Sequence, residues 1–516
     1  MKSVMRHSFQ ELPEANIQRS AFNRAHGYKT MFDSGKLIPF LVDEVLPGDT
    51  FKVDATLFAR LTSPLQVPVM DNMHLDTFYF FVPNRLVWNN FQKFMGEQED
   101  PGDSTDYTIP TLDAPAGTGF DIESLADYYG IPTGIAGLTV NSLAFRAYNL
   151  IYNEWFRDEN LQDSVVVNKD DGPDNISDYI VRSRGKRHDY FTSCLPWPQK
   201  GDAVPLPLTG DAPVSSDVAT GSGNDLSVYN TVTSAYQKLG SNTTYLYNAP
   251  NAGTEANGLY ADLSSVTAAT INELREAFQL QVLLEKDARG GTRYTEIVKS
   301  HFGVTSPDGR LQRPEYLGGR TSSVDITSVP QTGESGTTPQ GNLSAFGTLT
   351  STHEGFTKSF TEHGHVIGIL NVRADLTYQQ GLDRMWSRQT KYDIYWPALA
   401  HLGEQPVYNK EIYAQNDAND DLVFGYQERW SEYRYKPSHI TGKLRSTYST
   451  PLDMWHLSEK FDSLPTLSSA FITSSPPIDR IIAVTDEPQF VLDSFINVHT
   501  VRPMPTYSTP GSLTRF

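Results

Sequence analysis

An alternation of apolar and polar residues runs along one stretch near the start of the chain. The residues from 51 to 61 divide into an apolar set and a polar set: Phe51, Val53, Ala55, Leu57, Ala59 and Leu61, against Lys52, Asp54, Thr56 and Arg60. Since successive side chains of a strand point to opposite faces, this period of two predicts a half-buried β-strand. Two prolines and a serine within 62–68 then end it.

A second strand is predicted over 73–82. Its residues Phe78, Tyr79, Phe80 and Phe81 are apolar on both faces, which indicates a strand lying inside a stack of layers. Two long strands, each flanked by turn residues, are typical of the beginning of a β-sandwich or barrel.

Helical spacing of apolar residues occurs in only a few segments. The predicted helices are 84–95, 122–129, 141–157 and 271–290. The last of them begins with Thr270 and Glu273, which form a capping box, and ends at Gly290–Gly291.

The second half of the chain reads mainly as strands between turns. The predicted strands are 360–379, 426–435, 442–447, 478–484 and 489–498. Residues 303–350 are rich in Pro, Gly and Thr, and no element is assigned there.

Composition favours this β-rich interpretation. The 516 residues include 26 Tyr, 26 Phe, 37 Gly and 32 Pro, a balance that suits strands joined by many turns better than a helical bundle. A formal charge of −19 argues against a chain that coats nucleic acid over its whole surface, although a local basic face remains possible.

The single cysteine, Cys194, excludes an internal disulfide framework and suits a reducing compartment. No apolar run approaches the length of a membrane span, and the first thirty residues lack the apolar core of a signal peptide.

Basic residues concentrate in two places. The densest group precedes Tyr190 and Phe191 and consists of Arg182, Arg184, Lys186, Arg187 and His188. It predicts either a solvated or interface-pairing cluster or a contact with a phosphate backbone. The first 36 residues also carry more cations than acids, with aromatic residues between them. They form either a solvated arm or an arm that threads under a neighbouring subunit or touches phosphates.

The composition changes sharply at residue 201. From 201 to 270 the only cation is Lys238, and small polar residues dominate. Several tyrosines nevertheless argue against plain disorder: Tyr229, Tyr236, Tyr245, Tyr247 and Tyr260. We interpret the stretch as a long surface insertion, ordered by packing on copies of itself or on the parent domain.

Metal-binding and catalytic patterns are weak. The acidic group Asp170, Asp171, Asp174 and Asp178 lacks the spacing of a calcium loop, so a solvated acidic turn is the favoured interpretation. His363 and His365 share a strand face near His353 and Glu362 and suit a metal, but no third ligand is identifiable, which favours hydrogen-bonded histidines.

The sequence contains no phosphate loop, dinucleotide fingerprint, zinc-protease motif or paired Cys-x-x-Cys. The pair Glu428 and Glu432 would suit acid–base work on a glycoside, yet acid pairs arise by chance in a chain with 61 acids.

Several uncommon strings then identify a resemblance. They are LIPFLVDEVLPGDTF (37–51), YNLIYNEWFRDENLQ (148–162), YFTSCLPWPQKG (190–201), RPEYLGG (313–319), ADLTYQQGLDRMWSR (374–388), RYKPSHITG (434–442) and VRPMPTYSTPG (501–511). In this order they resemble the major capsid protein of the Microviridae, and the first string points to the gokushovirus branch. The family's variable region falls at about 201–290, where nothing matches.

The resemblance implies a mainly β fold: a single eight-stranded jelly roll with long loop insertions that contain a few helices. It divides the chain into an N-terminal arm (1–36), a first part of the core (37–200) with a helical insertion (84–160), a variable surface insertion (201–290), a second part of the core (291–500) and an extended tail (501–516). It further implies sixty copies in a T=1 icosahedral shell around a circular single-stranded DNA, with the insertion forming three-fold protrusions used in host attachment. Implied partners are a small basic DNA-associated virion protein, a minor pilot protein and a receptor on the host cell. The protein would be found in the virion after assembly in the bacterial cytoplasm, and no membrane insertion is expected.

On this interpretation we expect no catalytic residue, metal or cofactor. The candidate DNA-binding residues are Lys2, Arg6, Arg19, Arg24, Arg182, Arg184, Lys186, Arg187, Arg502 and Arg515. The candidate receptor-binding residues are Tyr229, Tyr236, Tyr245 and Tyr247. The alternative functions are a soluble glycan-binding or glycan-cleaving β-sandwich and, more remotely, a metal-dependent hydrolase centred on His363 and His365.

Overall fold

The computed structural model describes residues 18–205, 214–216, 226–232, 234–241, 246–252, 259–261, 271–305, 307 and 312–507. Its contacts divide the chain into two compact units. The larger unit comprises residues 1–198 and 291–516, and the smaller one comprises residues 199–290. In the smaller unit, only the backbone is described for 214–216, 241, 246–252 and 260–261.

Most of the regular structure consists of antiparallel strands. The first strands in chain order are β1 (Ser20–Asn23), β2 (His26–Phe32), β3 (Ile38–Val45), β4 (Thr50–Leu61), β5 (Met73–Pro83), β6 (Thr111–Asp113) and β7 (Thr139–Asn141). The smaller unit then contributes β8 (Val214–Ser216), β9 (Ser227–Asn230), β10 (Ala235–Ser241), β11 (Leu246–Ala252) and β12 (Leu259–Ala261). The later strands are β13 (Glu315–Ser323), β14 (Asp325–Pro330), β15 (Leu343–Ser359), β16 (Gly364–Ala374), β17 (Glu404–Tyr408), β18 (Val423–Glu428) and β19 (Phe490–Arg502).

Most of the described helices are single turns, and the longer ones are two of nine residues in the larger unit and one of 20 residues in the smaller unit. The helices are α1 (Asn84–Val87), α2 (Phe91–Phe94), α3 (Leu125–Tyr128), α4 (Leu143–Ile151), α5 (Ile271–Gly290), α6 (Tyr294–Phe302), α7 (Asn409–Ile412) and α8 (Ser469–Ile472). A π-helical turn, Tyr152–Phe156, continues α4. The segment 84–95, predicted as one helix, is therefore two single turns that are separated at Trp88.

Two antiparallel sheets form the body of the larger unit. One has the strand order β1-β19-β4-β15-β14, with β2 also pairing with β19, and the other has the order β13-β5-β16-β3. The predicted mainly β fold is confirmed, and so are the strands at 51–61 and 73–82. The alternation along β4 is complete, because each apolar residue from Phe51 to Leu61 is buried except the outward-facing Phe58.

The pairing follows a regular rule across both sheets. Among the eight strands β2, β3, β4, β5, β13, β15, β16 and β19, the first pairs with the last, the second with the seventh, the third with the sixth and the fourth with the fifth. The pairs alternate between the two sheets, as in a chain that is rolled up from one long hairpin. From this order we infer a single eight-stranded jelly roll.

The main hydrophobic core lies between the two sheets. Leu57 and Ile496 from one sheet and Leu75 and Val366 from the other are all fully buried in it. Burying each large apolar side chain contributes about 1.5–3 kcal/mol, so this interior supplies most of the stabilisation of the sandwich.

A second core covers the outer side of the sheet that contains β5 and β16. Phe80 and Ile367 point outward from those strands and pack with Trp88, Phe145 and Tyr148 from the helical insertion. This explains why β5 is apolar on both faces: each face meets its own core. The outer side of the other sheet keeps Phe58 and Phe495 exposed, so the two faces of the sandwich are unlike.

A third core collects segments that connect the jelly-roll strands, one between β5 and β13 and the others between β16 and β19. Tyr190, Cys194, Tyr378, Val407 and Phe471 are buried together there. The Cys194 thiol donates to the Tyr190 carbonyl oxygen at 3.2 Å, so the single cysteine is a buried packing residue.

Several sequence predictions for the second half are wrong. The segments 442–447 and 478–484 were expected to be strands, but they contain the 3₁₀ turns Gly442–Leu444 and Ile478–Arg480. The segment 303–350, where no element was assigned, holds β13, β14 and the first eight residues of β15. The predicted strand 426–435 is correct only to Glu428, where β18 ends.

Candidate nucleic-acid and assembly surfaces

The basic segment 182–187 is an extended tie between two parts of the larger unit. Arg184 donates its backbone N–H to the Gly35 carbonyl at 2.8 Å, and Lys186 donates to the Ile472 carbonyl at 2.6 Å. On the other side, Ser474 donates to the Arg184 carbonyl at 2.8 Å. The segment thus joins residues 35–37 to residues 472–474, much as an added strand would.

The Arg184 side chain has a charged partner inside the protein. Its guanidinium pairs with the Asp76 carboxylate and lies over the Phe78 ring, 4.9 Å from the centroid. Arg373 Nε also donates to Asp76, at 2.8 Å. Burial alone would raise the pKa of Asp76, but the hydrogen bond from Thr321 and the charge of Arg184 outweigh it and lower that pKa.

Lys186 is likewise engaged. Its Nζ lies 2.7 Å from the Glu459 carboxylate and 4.8 Å from the centroid of the Phe471 ring, and only 6% of its side chain is exposed. Arg182 donates to the Asp178 carbonyl at 3.0 Å. Arg187 is the exposed cation of the segment, next to exposed His188.

A second cationic group lies at one corner of the sheet that contains β4 and β19. Arg24 and Arg502 lie on the Phe51 ring, with guanidinium carbons 5.9 and 5.5 Å from its centroid. Arg24 pairs with Asp43, and Arg502 Nε lies 3.2 Å from the Asp49 carboxylate.

The same corner holds both described ends of the chain. Ser20 in β1 is the register partner of Arg502 in β19, so the segments that precede and follow them leave from one edge. Exposed Arg19 lies there too and contacts the Gly48 carbonyl and the Thr50 hydroxyl. Lys2, Arg6 and Arg515 lie outside the described residues.

The described members of the predicted DNA-binding set therefore lie in two separate places, the segment 182–187 and the corner around Phe51. Six of them already have partners within the protein: Arg19, Arg24, Arg182, Arg184, Lys186 and Arg502. Arg19 and Arg187 are the described candidates that are exposed to solvent. Their roles in DNA binding stay predictions.

The smaller unit contains the described part of the predicted receptor-binding set. Tyr229 on β9 and Tyr236 on β10 are register partners with ring centroids 5.2 Å apart, and Tyr229 is 52% exposed. Tyr247 belongs to β11 by its backbone, but its side chain is outside what the structure describes, as is the whole of Tyr245.

The acidic group at 170–178 is only in part the solvated turn that the sequence suggested, because Asp170 and Asp171 are exposed but Asp174 is not. Asp174 is buried and accepts two hydrogen bonds from Arg146, one from Nε at 2.7 Å and one from Nη2 at 2.5 Å. Asp171 accepts a hydrogen bond from the Trp88 indole at 2.7 Å. Burial would raise the pKa of Asp174, but the hydrogen bonds from Arg146 and Tyr179 reverse the shift and lower it. These aspartates tie the helical insertion together.

The histidines considered as metal ligands are placed apart. His365 is buried on β16, and its Nδ1 lies 2.9 Å from the Asn84 amide oxygen. Burial lowers the pKa of His365, against the opposing effect of Glu44 and Asp43. His363 precedes the strand and packs edge-on against Phe91. Within the described ranges, no group of three His, Cys, Asp or Glu side chains is arranged to hold a metal ion.

The carboxylates considered for acid–base chemistry have separate partners. Glu428 is exposed and pairs with Arg434, whereas Glu432 accepts from Gln405 at 2.7 Å and lies 3.4 Å from Arg388. A third acid, Glu411, is buried and raised in pKa by that burial, but it accepts hydrogen bonds from Arg384 at 3.1 Å and Tyr190 at 2.9 Å. Each of the three carboxylates thus accepts a hydrogen bond or an ion pair from a neighbouring side chain.

A further surface escaped the sequence analysis. We define the aromatic surface as residues 382–402 together with Tyr433. Its large side chains are exposed in the protomer, among them Trp386 at 71% and Tyr392 at 61%. The string DRMWSR within it entered the sequence analysis only as part of a family resemblance. The density of Trp and Tyr between cations is the signal that would have revealed it.

None of the helices in the described ranges combines the length and the apolar character needed to cross a membrane. A protein-family model described as capsid protein (F protein) matches residues 10–512. Among curated proteins, capsid protein VP1 of Bdellovibrio phage phiMH2K is 50% identical, with 99% of this chain and 98% of the relative covered. Capsid protein VP1 of Chlamydia phage 1 is 44% identical, with 99% and 98% covered. Capsid protein VP1 of Spiroplasma virus 4 is 39% identical, with 98% and 97% covered.

Proposed function

The chain belongs to the capsid protein (F protein) family, with relatives of the gokushovirus type of the Microviridae, and we propose that sixty copies of it build a T=1 shell around a circular single-stranded DNA. The role of a major capsid protein follows from the family. The copy number, the shell symmetry and the enclosed genome are the proposal. The observation that carries it is similarity over nearly the whole length of three phage capsid proteins.

The fold is suited to this role. The inferred jelly roll closes its sheets on each other and leaves loops and a bare sheet face for contacts with neighbouring copies. Heterologous contacts between identical subunits generate closed rings when the rotation closes, and such rings are the units of a shell. The net charge of −19 keeps assembled particles apart in solution, while local cations meet the packaged phosphates.

We propose that Arg19 and Arg187 contact the packaged DNA, together with Lys2, Arg6 and Arg515. The two described residues are exposed, and their charges are available to phosphates without breaking an ion pair to a buried carboxylate. Since phosphate contacts carry no base preference, binding would be largely independent of sequence. A small basic virion protein would neutralise the remaining charge, and a pilot protein would accompany the genome.

We propose host attachment as the role of the smaller unit. Its paired rings, Tyr229 and Tyr236, form a partly exposed amphipathic platform of the kind enriched at binding surfaces. Deleting residues 211–258 should leave particles that form but no longer adsorb to cells. Loss of particle formation would instead assign the segment to assembly.

The test of the whole proposal is the state of the purified protein. Electron microscopy and light scattering should show uniform icosahedral particles of several megadaltons, with nuclease-protected single-stranded DNA inside when the protein is purified from infected bacteria. A protein that stays near its chain mass of 57.6 kDa under all assembly conditions would contradict the proposal.

A further inference from the structure

The aromatic surface is held in place by its own contacts, although much of it is exposed. The Tyr395 ring packs edge-on against Trp430 at 5.6 Å, and the Trp430 indole donates to the Leu399 carbonyl at 2.8 Å. The Tyr433 hydroxyl accepts from the Tyr395 backbone N–H at 3.3 Å. A pre-formed surface loses little conformational entropy when a partner binds, which favours tight association.

The composition of this surface is that of a protein–protein interface. Trp386, Tyr392 and Trp396 are exposed together with the aliphatic side chains of Leu382 and Ile394. Interface cores are enriched in aromatic residues, Met and Arg, whereas singly scattered apolar residues are normal on a surface. Aliphatic side chains cannot stack on bases, so the mixture suits a protein partner better than a nucleic acid.

The region around this surface is positively charged. Residues 382–402 and 428–448 carry eight cations against four acids, a net charge of +4 in a chain of −19. The cations are Arg384, Arg388, Lys391, Arg429, Arg434, Lys436, Lys443 and Arg445, and the acids are Asp383, Asp393, Glu428 and Glu432. Lys391 on the aromatic surface and Lys443 in the segment 428–448 are both exposed, so these two segments present positive charge to a partner.

A complementary surface exists on the same chain. Residues 94–145, in the helical insertion, contain nine acids and no Lys or Arg. Five of these acids lie in the loop 97–106, most of which is exposed: Glu97, Glu99, Asp100, Asp103 and Asp106. We call this segment the acidic loop.

We propose that the aromatic surface of one copy binds the acidic loop of a second copy. The proposal rests on the proposed capsid function, which places identical copies side by side. The two surfaces differ, so the contact is heterologous and repeats around a ring. The apolar side chains supply the buried area, and the opposite charges fix the orientation and discourage aromatic surfaces from pairing with each other.

Charge reversal tests this contact directly. The variant Glu97→Lys/Glu99→Lys and the variant Lys391→Glu/Lys443→Glu should each reduce particle yield at least tenfold at low salt. Combining all four changes should restore assembly, because the signs are exchanged on both surfaces. Lys460→Glu, at an exposed ion pair with Asp462, is the matched control and should assemble like the wild type.

A second measurement uses wild-type particles and is independent of variant folding. Zero-length carbodiimide cross-linking joins a lysine to a carboxylate that touches it. Mass spectrometry should find peptides that link Lys391 or Lys443 to residues 97–106 in particles, with their yield falling at least tenfold in dissociated subunits. Particles that lack these cross-links would overturn the proposal.

The remaining outcomes separate the possibilities. If both charge-reversed variants assemble normally, the surfaces do not meet. If they form shells that lack DNA, the aromatic surface binds the genome instead of a neighbouring copy. If the wild-type protein itself forms no particle under any condition, the capsid proposal fails, and this failure is distinct from a loss confined to the variants.

Discussion

Arg146 is a charged residue that lies fully buried in the helical insertion. Its side chain is 0% exposed, and it donates to both Asp174 oxygens, to the Val87 carbonyl at 3.0 Å and to the Asp170 carbonyl at 2.9 Å. A buried ion pair adds little net stability relative to an apolar pair, but removing one partner strands the other charge. The Arg146–Asp174 pair therefore contributes more to the specific conformation of the helical insertion than to its net stability.

We predict that Arg146→Leu lowers the free energy of unfolding by about 3–5 kcal/mol, because Asp174 is left buried without a counter-charge. Urea denaturation of the unassembled subunit measures the change. Arg434→Leu is the control, since the Arg434–Glu428 pair is roughly half exposed and should cost less than about 1 kcal/mol. Equal losses in the two variants would contradict this account.

Acid should weaken the same site. The pKa values of Asp174 and Asp76 are lowered in the folded protein, so the folded state binds protons less readily than the unfolded chain. The stability that these carboxylates contribute is fully present above an ordinary Asp pKa of about 4 and is lost as the pH falls through the folded values.

We therefore predict that the free energy of unfolding falls steeply below pH about 4 and that Asp174→Asn flattens this dependence. Denaturation of the unassembled subunit at a series of pH values provides the comparison. Asp462→Asn, at a side chain that is 85% exposed, should leave the slope unchanged. A variant at Asp174 with the full acid dependence would show that other groups are responsible.

Single residues also show where sequence reasoning stops. The sequence showed which charges exist at 170–178 and 182–187, but not that Asp174 meets Arg146 or that Arg184 meets Asp76. These partners lie 28 and 108 residues apart along the chain, and only the tertiary fold brings them together. A charged residue with no visible partner in the sequence is expected to lie in a solvated cluster. For Asp174 and Arg184 this expectation was wrong, because each has a charged partner inside the protein.

At the scale of elements, the pairing of β15 with β4 is a tightly packed part of the sandwich. Gly355 is the register partner of Asp54, just beyond a β-bulge between Ser351 and Glu354. A Cβ atom added at Gly355 would lie 2.0 Å from the Val53 carbonyl oxygen, so the absence of a side chain permits the close approach of the two strands.

We predict that Gly355→Ala destabilises the subunit by about 1–3 kcal/mol through overpacking. The control is Gly333→Ala, where an added Cβ would meet no atom within 4 Å. Thermal unfolding of the two variants distinguishes them. A normal melting temperature for Gly355→Ala would mean that the strands separate there at little cost.

The strands and helices could be predicted from the sequence where the spacing of their apolar residues has a clear period. The alternation in β4, the doubly apolar β5 and the helix α5 were all predicted from local pattern, whereas the predicted cap of α5 at Thr270 lies outside the described residues. In β13 and β14 most positions are exposed or half-buried, so no apolar alternation reveals them, and their strand conformation comes from pairing with β5 and β15. The opposite error at 478–484 arose because apolar residues such as Ile478 are buried from a 3₁₀ turn, which burial pattern alone does not distinguish from a strand.

At the scale of the whole molecule, the uneven distribution of charge is the dominant feature. The chain carries −19 overall, yet some of its described cations, such as Arg184 and Lys186, are paired with carboxylates inside the protein, whereas others, such as Arg19 and Arg187, are exposed. An ion-paired cation must lose its partner before it gains a phosphate. Exposed cations therefore determine how strongly binding to DNA depends on salt.

We predict that two classes of alanine variant differ in how strongly their binding to single-stranded DNA depends on the salt concentration. Arg19→Ala and Arg187→Ala should each reduce the slope of log K against log salt by about 0.7, the value for one phosphate contact on a single strand. Arg184→Ala and Lys186→Ala should leave the slope unchanged and instead lower the melting temperature, since Asp76 loses one of its two arginine partners and Glu459 loses its lysine partner. Fluorescence anisotropy over a salt series, with melting curves on the same samples, measures both quantities. A lowered slope in the second class would mean that the internal ion pairs open to admit DNA, and the genome-facing surface would then include the tie at 182–187.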